Sequence, residues 1–326
     1  MNQTLATTNR KNPHPYLAWL QSLWKFSRPH TIIGTSLSVV GLYLIEFANS
    51  STEAHHLSLL FLAIIACLCG NVYIVGLNQL TDVEIDKINK PNLPLASGEL
   101  SLKQGQIIVI IAGIFALGLA SLGGLMLLGV VGVSLALGTA YSLPPLRLKR
   151  FPFWASFCIF TVRGVVINLG LFLYYRLWSP QDNESLLSAI TPEMWALSLF
   201  VVGFAFAIAV FKDIPDIEGD KHYQITTFTI KIGAPATFNL AIYTLTACYL
   251  GMVVASWTDM VWSENWPAWG RLFLTITHLG ALASLWWRCQ TVNLDDKTSI
   301  AGCYQFIWKL FFLEYLIFPA ACLLAM

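Results

Sequence analysis

Two short stretches carry much of the acid in a chain that otherwise holds little of it. NQLTDVEID (78–86) and KDIPDIEGD (212–220) contain seven of the 18 Asp and Glu residues. In the first, Asn78, Asp82 and Asp86 recur at i, i+4 and i+8, so a helix turning about 100° per residue gathers them on one face and points Glu84 away. In the second, Asp213, Asp216 and Asp220 recur at i, i+3 and i+7, and Pro215 and Gly219 are expected to kink the turn that holds them. Carboxylates this crowded repel one another unless cations neutralise them. Oxygen ligands of this kind suit Mg²⁺, which combines a few carboxylates with phosphate oxygens and water. The expected chemistry is the grip of a diphosphate through metal. A solvated acidic loop is the plainer alternative. Two such groups at equivalent helix ends, flanked by Lys87, Lys90, Lys212 and Lys221, weigh against it.

The elements that must position these acids are apolar. The 326 residues are 56% hydrophobic and 11% charged, with a mean hydropathy of +0.64, outside the balance of soluble domains. A spanning helix takes about 20 apolar residues, and nine runs qualify: 31–48, 57–80, 106–123, 125–142, 153–175, 193–211, 235–256, 270–288 and 304–325. The expected fold is therefore an all-α integral membrane protein of nine transmembrane helices, with Gly123-Gly124 dividing the third from the fourth. Sixteen of the 19 Lys and Arg residues fall before helix 1 or beside the ends of helices 2, 4, 6 and 8. By the positive-inside rule that side, with the N-terminus, is cytoplasmic.

Residues 1–29 read as a basic cytoplasmic arm against anionic headgroups, and 30–326 as one transmembrane domain. Asp82 to Asp216 and Asp86 to Asp220 are both 134 residues apart. That offset suggests parallel four-helix repeats over about 30–150 and 151–290, with helix 9 added. The seven cysteines lie in or beside apolar runs and read as small hydrophobes. Transport or ion conduction would need ionisable groups along a membrane path, and apart from Arg163 the runs are nearly free of them.

NQLTDVEID followed by KINKPNLPLASGELS, YSLPPLRLKR after helix 4, and KDIPDIEGDK after helix 6 resemble the aspartate-rich motifs of the UbiA superfamily of intramembrane aromatic prenyltransferases. The resemblance covers essentially the whole chain and is strongest to the branch that prenylates homogentisate, as in phytyl transfer of cyanobacterial and plastid tocopherol synthesis. It implies a phytyl (prenyl) diphosphate donor, homogentisate as acceptor with decarboxylation, Mg²⁺, and a bundle open to membrane lipid. Solanesyl or geranylgeranyl transfer to homogentisate, chlorophyll synthase and 4-hydroxybenzoate polyprenyl transfer stay open as alternatives. The short arm points to a cyanobacterial chain in the thylakoid or plasma membrane, with the site on the cytoplasmic side. No nucleic-acid partner is expected, and the oligomeric state is not read. Many relatives have Asp where this chain has Gln79, a position about 100° round the helix from Asn78 and not expected to ligate.

On that resemblance Asn78, Asp82 and Asp86 hold one Mg²⁺, and Asp216 and Asp220, with Asp213, a second. Asp82, Asp86, Asp216, Asp220 and Tyr141 form the catalytic set, and Arg28, Lys90, Arg147, Lys149 and Lys212 are candidates to bind the diphosphate. Arg163 lies about ten residues into helix 5, where an unpaired charge costs at least about 2.5–3.5 kcal/mol and must face the bundle interior. With Asn168 at i+5 it is expected to line the cavity and to bind the diphosphate or the acceptor's carboxylate; pairing with an acid is the alternative. Tyr73, Tyr141, Phe204 and Phe206 are candidate π faces for the carbocation left when diphosphate departs.

Overall fold

A computed structural model describes residues 15–49, 57–178, 185–259, 261–262 and 266–325. Apolar runs in lipid must satisfy their backbone internally, and helices do so within one segment. The order is α1 (Pro15–Phe26), α2 (Pro29–Asn49), α3 (Leu57–Thr81), the short α4 (Val83–Asn89) and α5 (Pro94–Ser97), then α6 (Leu102–Leu122) and α7 (Gly124–Ser142). α8 (Pro152–Phe160) runs through a π-helical stretch, Thr161–Ile167, into α9 (Asn168–Arg176). α10 (Pro192–Phe211) leads to the short α11 (Ile217–His222) and α12 (Phe228–Ile232), and α13 (Ala234–Ala255), α14 (Ala268–Cys289) and α15 (Lys297–Leu324) complete the chain.

Local chemistry explains the boundaries. Gly124 adopts φ +86°, a conformation that costs a side chain energy, and lets α6 reverse into α7 where Gly123-Gly124 was expected to divide them. Ser101 and Gln104 form a reciprocal capping box at the start of α6. Proline in the first turn opens α8, α10 and α13, where its missing N–H has no intrahelical partner to lose.

Among the described residues eight helices, with α8 through α9 counted as one, are long and apolar enough to cross a membrane. α14 has 22 residues but carries Arg271, His278 and Arg288, and falls short of that apolarity. α10 and α15 form the centre, 67% and 61% buried over their most apolar windows, against 33% for α6 and α7. Close helix approach relies on small residues: a Cβ on Gly164 would stand 2.8 Å from the Val202 backbone of α10.

The basic arm is in part a built element, because Ser22 and Lys25 of α1 donate to Glu99 at 2.9 and 2.8 Å and Phe26 is fully buried. Residues 1–14 of that arm lie outside the described residues. Deep in the bundle, His278 of α14 and Glu314 of α15 face each other, Nε2 to Oε2 3.2 Å, both almost fully buried. The sequence reading passed over this pair.

Candidate functional site

The long helix α3 does not continue through the first acidic motif. Asp82 takes φ −118°, ψ 15°, and α4 starts afresh at Val83. Asp216 does the same between α10 and α11, with φ −92° and ψ 1°. The expectation of one continuous helical face through Asn78, Asp82 and Asp86 is therefore corrected. The acids are aimed by breaks in the helix, a single residue at Asp82 in the first motif and the five residues 212–216 in the second. Neither aspartate caps the helix it precedes; each turns to a basic residue instead. Asp82 accepts from Lys149, from Arg147 at 3.3 Å and from Asn78 at 3.0 Å. Asp216 accepts from Lys90, which belongs to the first motif. Gly219 N–H donates to Asn89 Oδ1 at 3.0 Å, so α4 and α11 are docked directly. Glu84 points away, paired with Lys87 at 2.7 Å. Gln79 is buried and donates to the Phe26 carbonyl at 2.7 Å, outside the site as expected.

Asp86 and Asp220 lie four residues beyond the breaks, 5% and 7% exposed, and their carboxyl groups accept no hydrogen bond among the described residues. Burial is the main cause that lifts the Asp86 carboxyl to about 6, against the pull of Lys90 and Arg28. It likewise lifts Asp220 to about 7, helped by Asp213 and Asp216 and opposed by Lys212 and Lys90. Lys149, also buried, is lowered to about 8 although Asp82 resists the shift. Lys212 donates to Asp213 at 2.5 Å and is held well above the usual lysine range by that carboxylate. Two residues that touch the first motif, Arg28 and Arg147, have positive φ of 52° and 37°. Such backbone costs on the order of 1–3 kcal/mol in a non-glycine residue and tends to gather at functional sites. Arg28 donates to Asn78 Oδ1 at 3.3 Å.

The six residues expected to ligate metal do not make a finished cage. No three His, Cys, Asp or Glu side chains converge to hold an ion among the described residues. The reason is visible in the pairs above: lysines engage Asp82, Asp213 and Asp216. What remains is two buried carboxyls without donors, Asp86 and Asp220, set among other oxygen ligands. That set fits Mg²⁺, which is held by one or two carboxylates with substrate phosphates and water rather than by an all-protein cage.

Below the acids opens a cavity of about 230 Å³. Arg28, Asn78, Tyr141 and Lys212 line it at the acidic end, and Arg163 lies farther in. On α3 the lining runs from Asn78 to Cys67, a drop of about 16 Å at 1.5 Å per residue. One wall is an aromatic ladder on α15, Tyr304, Trp308, Phe311 and Tyr315, spaced 4, 3 and 4 so that a single helix face carries all four. The sequence reading missed this ladder, although its spacing is legible. Of the expected π faces only Tyr141 lines the cavity. Tyr73 pairs with Thr139 at 2.9 Å, Phe204 is packed against Phe200, Tyr249 and Phe311, and Phe206 meets Phe228.

Arg163 stands on the π-helical stretch, its Cζ 4.9 Å from the Trp308 ring centroid and 5.7 Å from that of Phe311. Among the described residues no acid pairs with it. Asn168 is not beside it in the lining, which corrects that expectation: it is fully buried, and its Oδ1 accepts from Tyr315 Oη at 2.6 Å. It can act only by fixing the ring that does line the cavity.

Comparison with known proteins follows the same lines. The UbiA prenyltransferase family matches residues 38–310. The chain is 50% identical over 313 residues to a homogentisate phytyltransferase of Synechocystis sp. (strain ATCC 27184 / PCC 6803 / Kazusa), covering 94% of this chain and 96% of that one. It is 40% identical over 305 residues to the chloroplastic homogentisate phytyltransferase 1 of Arabidopsis thaliana, covering 92% and 75%. Among solved structures, a UbiA homolog from Archaeoglobus fulgidus bound to GPP and Mg²⁺ superposes with a TM-score of 0.61 at 14% identity, over 92% of this chain and 99% of that one. That last likeness is one of fold.

Proposed function

The chain belongs to the UbiA prenyltransferase family, and from that premise we propose that it transfers a phytyl group from its diphosphate to homogentisate. The product is 2-methyl-6-phytylbenzoquinol, with loss of carbon dioxide. The observation that carries this reading is the docking of two acidic motifs, through Lys90 to Asp216 and Gly219 to Asn89, over the mouth of an apolar, aromatic-walled cavity. The 50% identity to a homogentisate phytyltransferase over nearly all of both chains supports the choice of acceptor and donor.

Asn78, Asp82 and Asp86 on one side, and Asp213, Asp216 and Asp220 on the other, would hold Mg²⁺ together with the donor's phosphate oxygens. The bound metal supplies neutralisation of the charge that develops on the leaving diphosphate. Lys149, Arg147, Lys90 and Lys212 now lie on the carboxylates and Arg28 on Asn78. With substrate present these cations can change partner from carboxylate to phosphate without any charge being left alone. The isoprenoid tail occupies the apolar cavity, which excludes water from the allylic cation formed when the carbon–oxygen bond breaks with its electron pair on diphosphate. The faces of Tyr141 and the α15 ladder stabilise that cation. The acceptor's ring carbon attacks it and loses its proton. The acetate arm gives up carbon dioxide, and its methylene takes a proton to become methyl.

We take α14 as a ninth span. The acidic end, rich in Lys and Arg, is then cytoplasmic with the N-terminus, in a cyanobacterial thylakoid or plasma membrane. The recurrence of the helix break at Asp82 and Asp216 supports a repeat of a four-helix unit. The test is incubation of membranes carrying the protein with phytyl diphosphate and homogentisate, with Mg²⁺ or with excess EDTA, and detection of 2-methyl-6-phytylbenzoquinol by mass spectrometry. Mg²⁺-dependent product is expected. Product only with a solanesyl donor, with chlorophyllide or with 4-hydroxybenzoate would move the protein to another branch.

A further inference from the structure

Five cations stand among the two acidic motifs, Arg28 and Lys212 of them lining the cavity, and each has an oxygen partner: Lys90 with Asp216, Lys149 and Arg147 with Asp82, Lys212 with Asp213, and Arg28 with Asn78. Arg163 is a sixth, and it has none. Among the described residues its guanidinium makes no hydrogen bond and no ion pair; it lies only over the faces of Trp308 and Phe311. Keeping an unpaired charge at such a place is costly, and a ring face returns only part of what water would supply. The side chain is thus a donor set waiting for an anion.

Depth decides which anion. Lys297, at the start of α15, pairs with Glu218 of the second motif and so marks the acidic end. Trp308 lies 11 residues farther along α15, about 16 Å at 1.5 Å per residue from that outer ion pair, and Arg163 lies beside it; His30, two residues after Arg28, meets the same Trp308 ring at 5.0 Å, so the guanidinium sits one aromatic layer below the cations of the acidic end. A diphosphate seated among the acids and those five cations has its charge met there. Its tail is hydrocarbon and offers a guanidinium nothing. The cavity is uneven: Gly70, Ile74, Val131, Leu135 and Gly138 of α3 and α7 give a mainly apolar wall, interrupted by Asn71 and Ser134, while Arg163 with Tyr304, Trp308 and Tyr315 gives a cationic and aromatic one.

We propose that Arg163 is the acceptor's anchor: it takes the carboxylate of an arylacetic acid in a forked, charge-assisted bond, with the ring against the α15 ladder and the prenyl tail along the α3 and α7 wall. This rests on the reading above that the acceptor is homogentisate. A planar guanidinium matches a carboxylate in two parallel hydrogen bonds. The anchor makes the carboxylate a recognition handle, and an acceptor without it loses its register in the cavity.

The test measures binding, with no donor present, to the full chain in lipid nanodiscs. Wild type, Arg163→Gln and Arg163→Lys are titrated with homogentisate and with its methyl ester, and separately with Mg²⁺ and a non-reacting thiolodiphosphate analogue of the donor. Wild type should bind the acid more tightly than the ester. Arg163→Gln should lose acid affinity by roughly 10- to 100-fold, as expected for a hydrogen-bonded charge, leave the ester unchanged and leave the analogue unchanged. Arg163→Lys should recover part of the acid affinity but not all. Removing an unpaired buried charge does not threaten the fold, and unchanged analogue binding proves that the fold is intact. If Arg163→Gln keeps its preference for the acid, or loses the analogue instead, the inference falls and the acceptor stands. If wild type binds neither homogentisate nor its ester, the acceptor reading itself falls, and this inference with it.

Discussion

Gly219 sits where the two acidic motifs touch, and replacing it with alanine tests whether that docking sets the catalytic geometry. A Cβ there would lie 2.5–2.6 Å from Nδ2, Cγ and Oδ1 of Asn89, and ordinary contact begins at 3.4 Å. Relief therefore needs a shift of about 0.9 Å, the difference between 3.4 and 2.5 Å. Asn89 can rotate away and give up its bond to the Gly219 N–H, or α11 can retreat from α4 and carry Asp216 and Asp220 with it. The first costs about 1 kcal/mol of stability. The second misplaces the acids by on the order of 1 Å, which at a reacting centre can cost about 10²-fold in rate. Gly219→Ala is expected to fold normally, to bind the Mg²⁺–diphosphate analogue more weakly and to turn over about 100-fold more slowly. Adding Asn89→Ala makes room for the methyl group and should restore part of the rate. Turnover and analogue affinity are read in nanodiscs beside a thermal melt. Wild-type turnover in Gly219→Ala, or a loss that Asn89→Ala leaves untouched, would refute the idea that this contact aims the carboxylates.

Two other predictions follow from buried charge. His278→Leu and Glu314→Gln each strand one partner of an almost fully buried pair, at a cost of about 3–5 kcal/mol. Each should melt well below wild type, and a double replacement by leucine should recover much of the loss; single variants that melt like wild type would show the pair to be idle. Asp86 and Asp220, raised to about 6 and about 7, favour their neutral forms. The metal-free fold is then penalised as pH climbs from the ordinary value of 3.8 through those values. Mg²⁺ binds the ionised carboxylates and removes the penalty, so its affinity and its protection against melting should rise between pH 5.5 and 7.5 and then level off. Protection that is equal at both ends of that range would contradict the assignment of these two residues.

The acids were legible because carboxylates are rare in such a chain, so Asp82, Asp86, Asp216 and Asp220 announced themselves without any knowledge of the fold. Their aiming was not. Asp82 is held by Arg147 and Lys149, 65 and 67 residues away, and the second motif by Lys90 to Asp216 and Asn89 to Gly219, 126 and 130 residues apart, and local spacing carries no trace of those. Gly123-Gly124 was readable as a turn because glycine alone tolerates the φ of Gly124 comfortably. Arg163 was readable as interior because membrane charge is expensive, but placing Asn168 beside it assumed ordinary α-helical turns. The aromatics show the limit most plainly. Phe204 and Phe206 were chosen for their nearness in sequence to the second motif, yet apart from Tyr141 the Phe, Tyr and Trp side chains that line the cavity are on α15, about a hundred positions later. The uneven apolarity of α14 has its own reason: it contributes His278 to an internal pair.

The π-helical stretch Thr161–Ile167 also bears on which changes of winding this protein can survive. α8 turns Phe153 and Trp154 outward, whereas α9 turns Leu171, Phe172 and Tyr175 inward, and the wide turns between them let both faces coexist with Arg163 over the α15 ladder. The wide turns take up about one residue more than α-helical winding would, so rewinding the same residues as α-helix, with their number unchanged, would rotate one flank against the other by about 100°. Either the guanidinium would swing out of the cavity, or the packed face of α9 would turn to lipid. A substitution at Val165, which is exposed, touches neither. The segment is therefore a spacer whose winding matters more than most of its residues' identities, and a change that drew it into ordinary α-helical turns at the same length would cost function or fold.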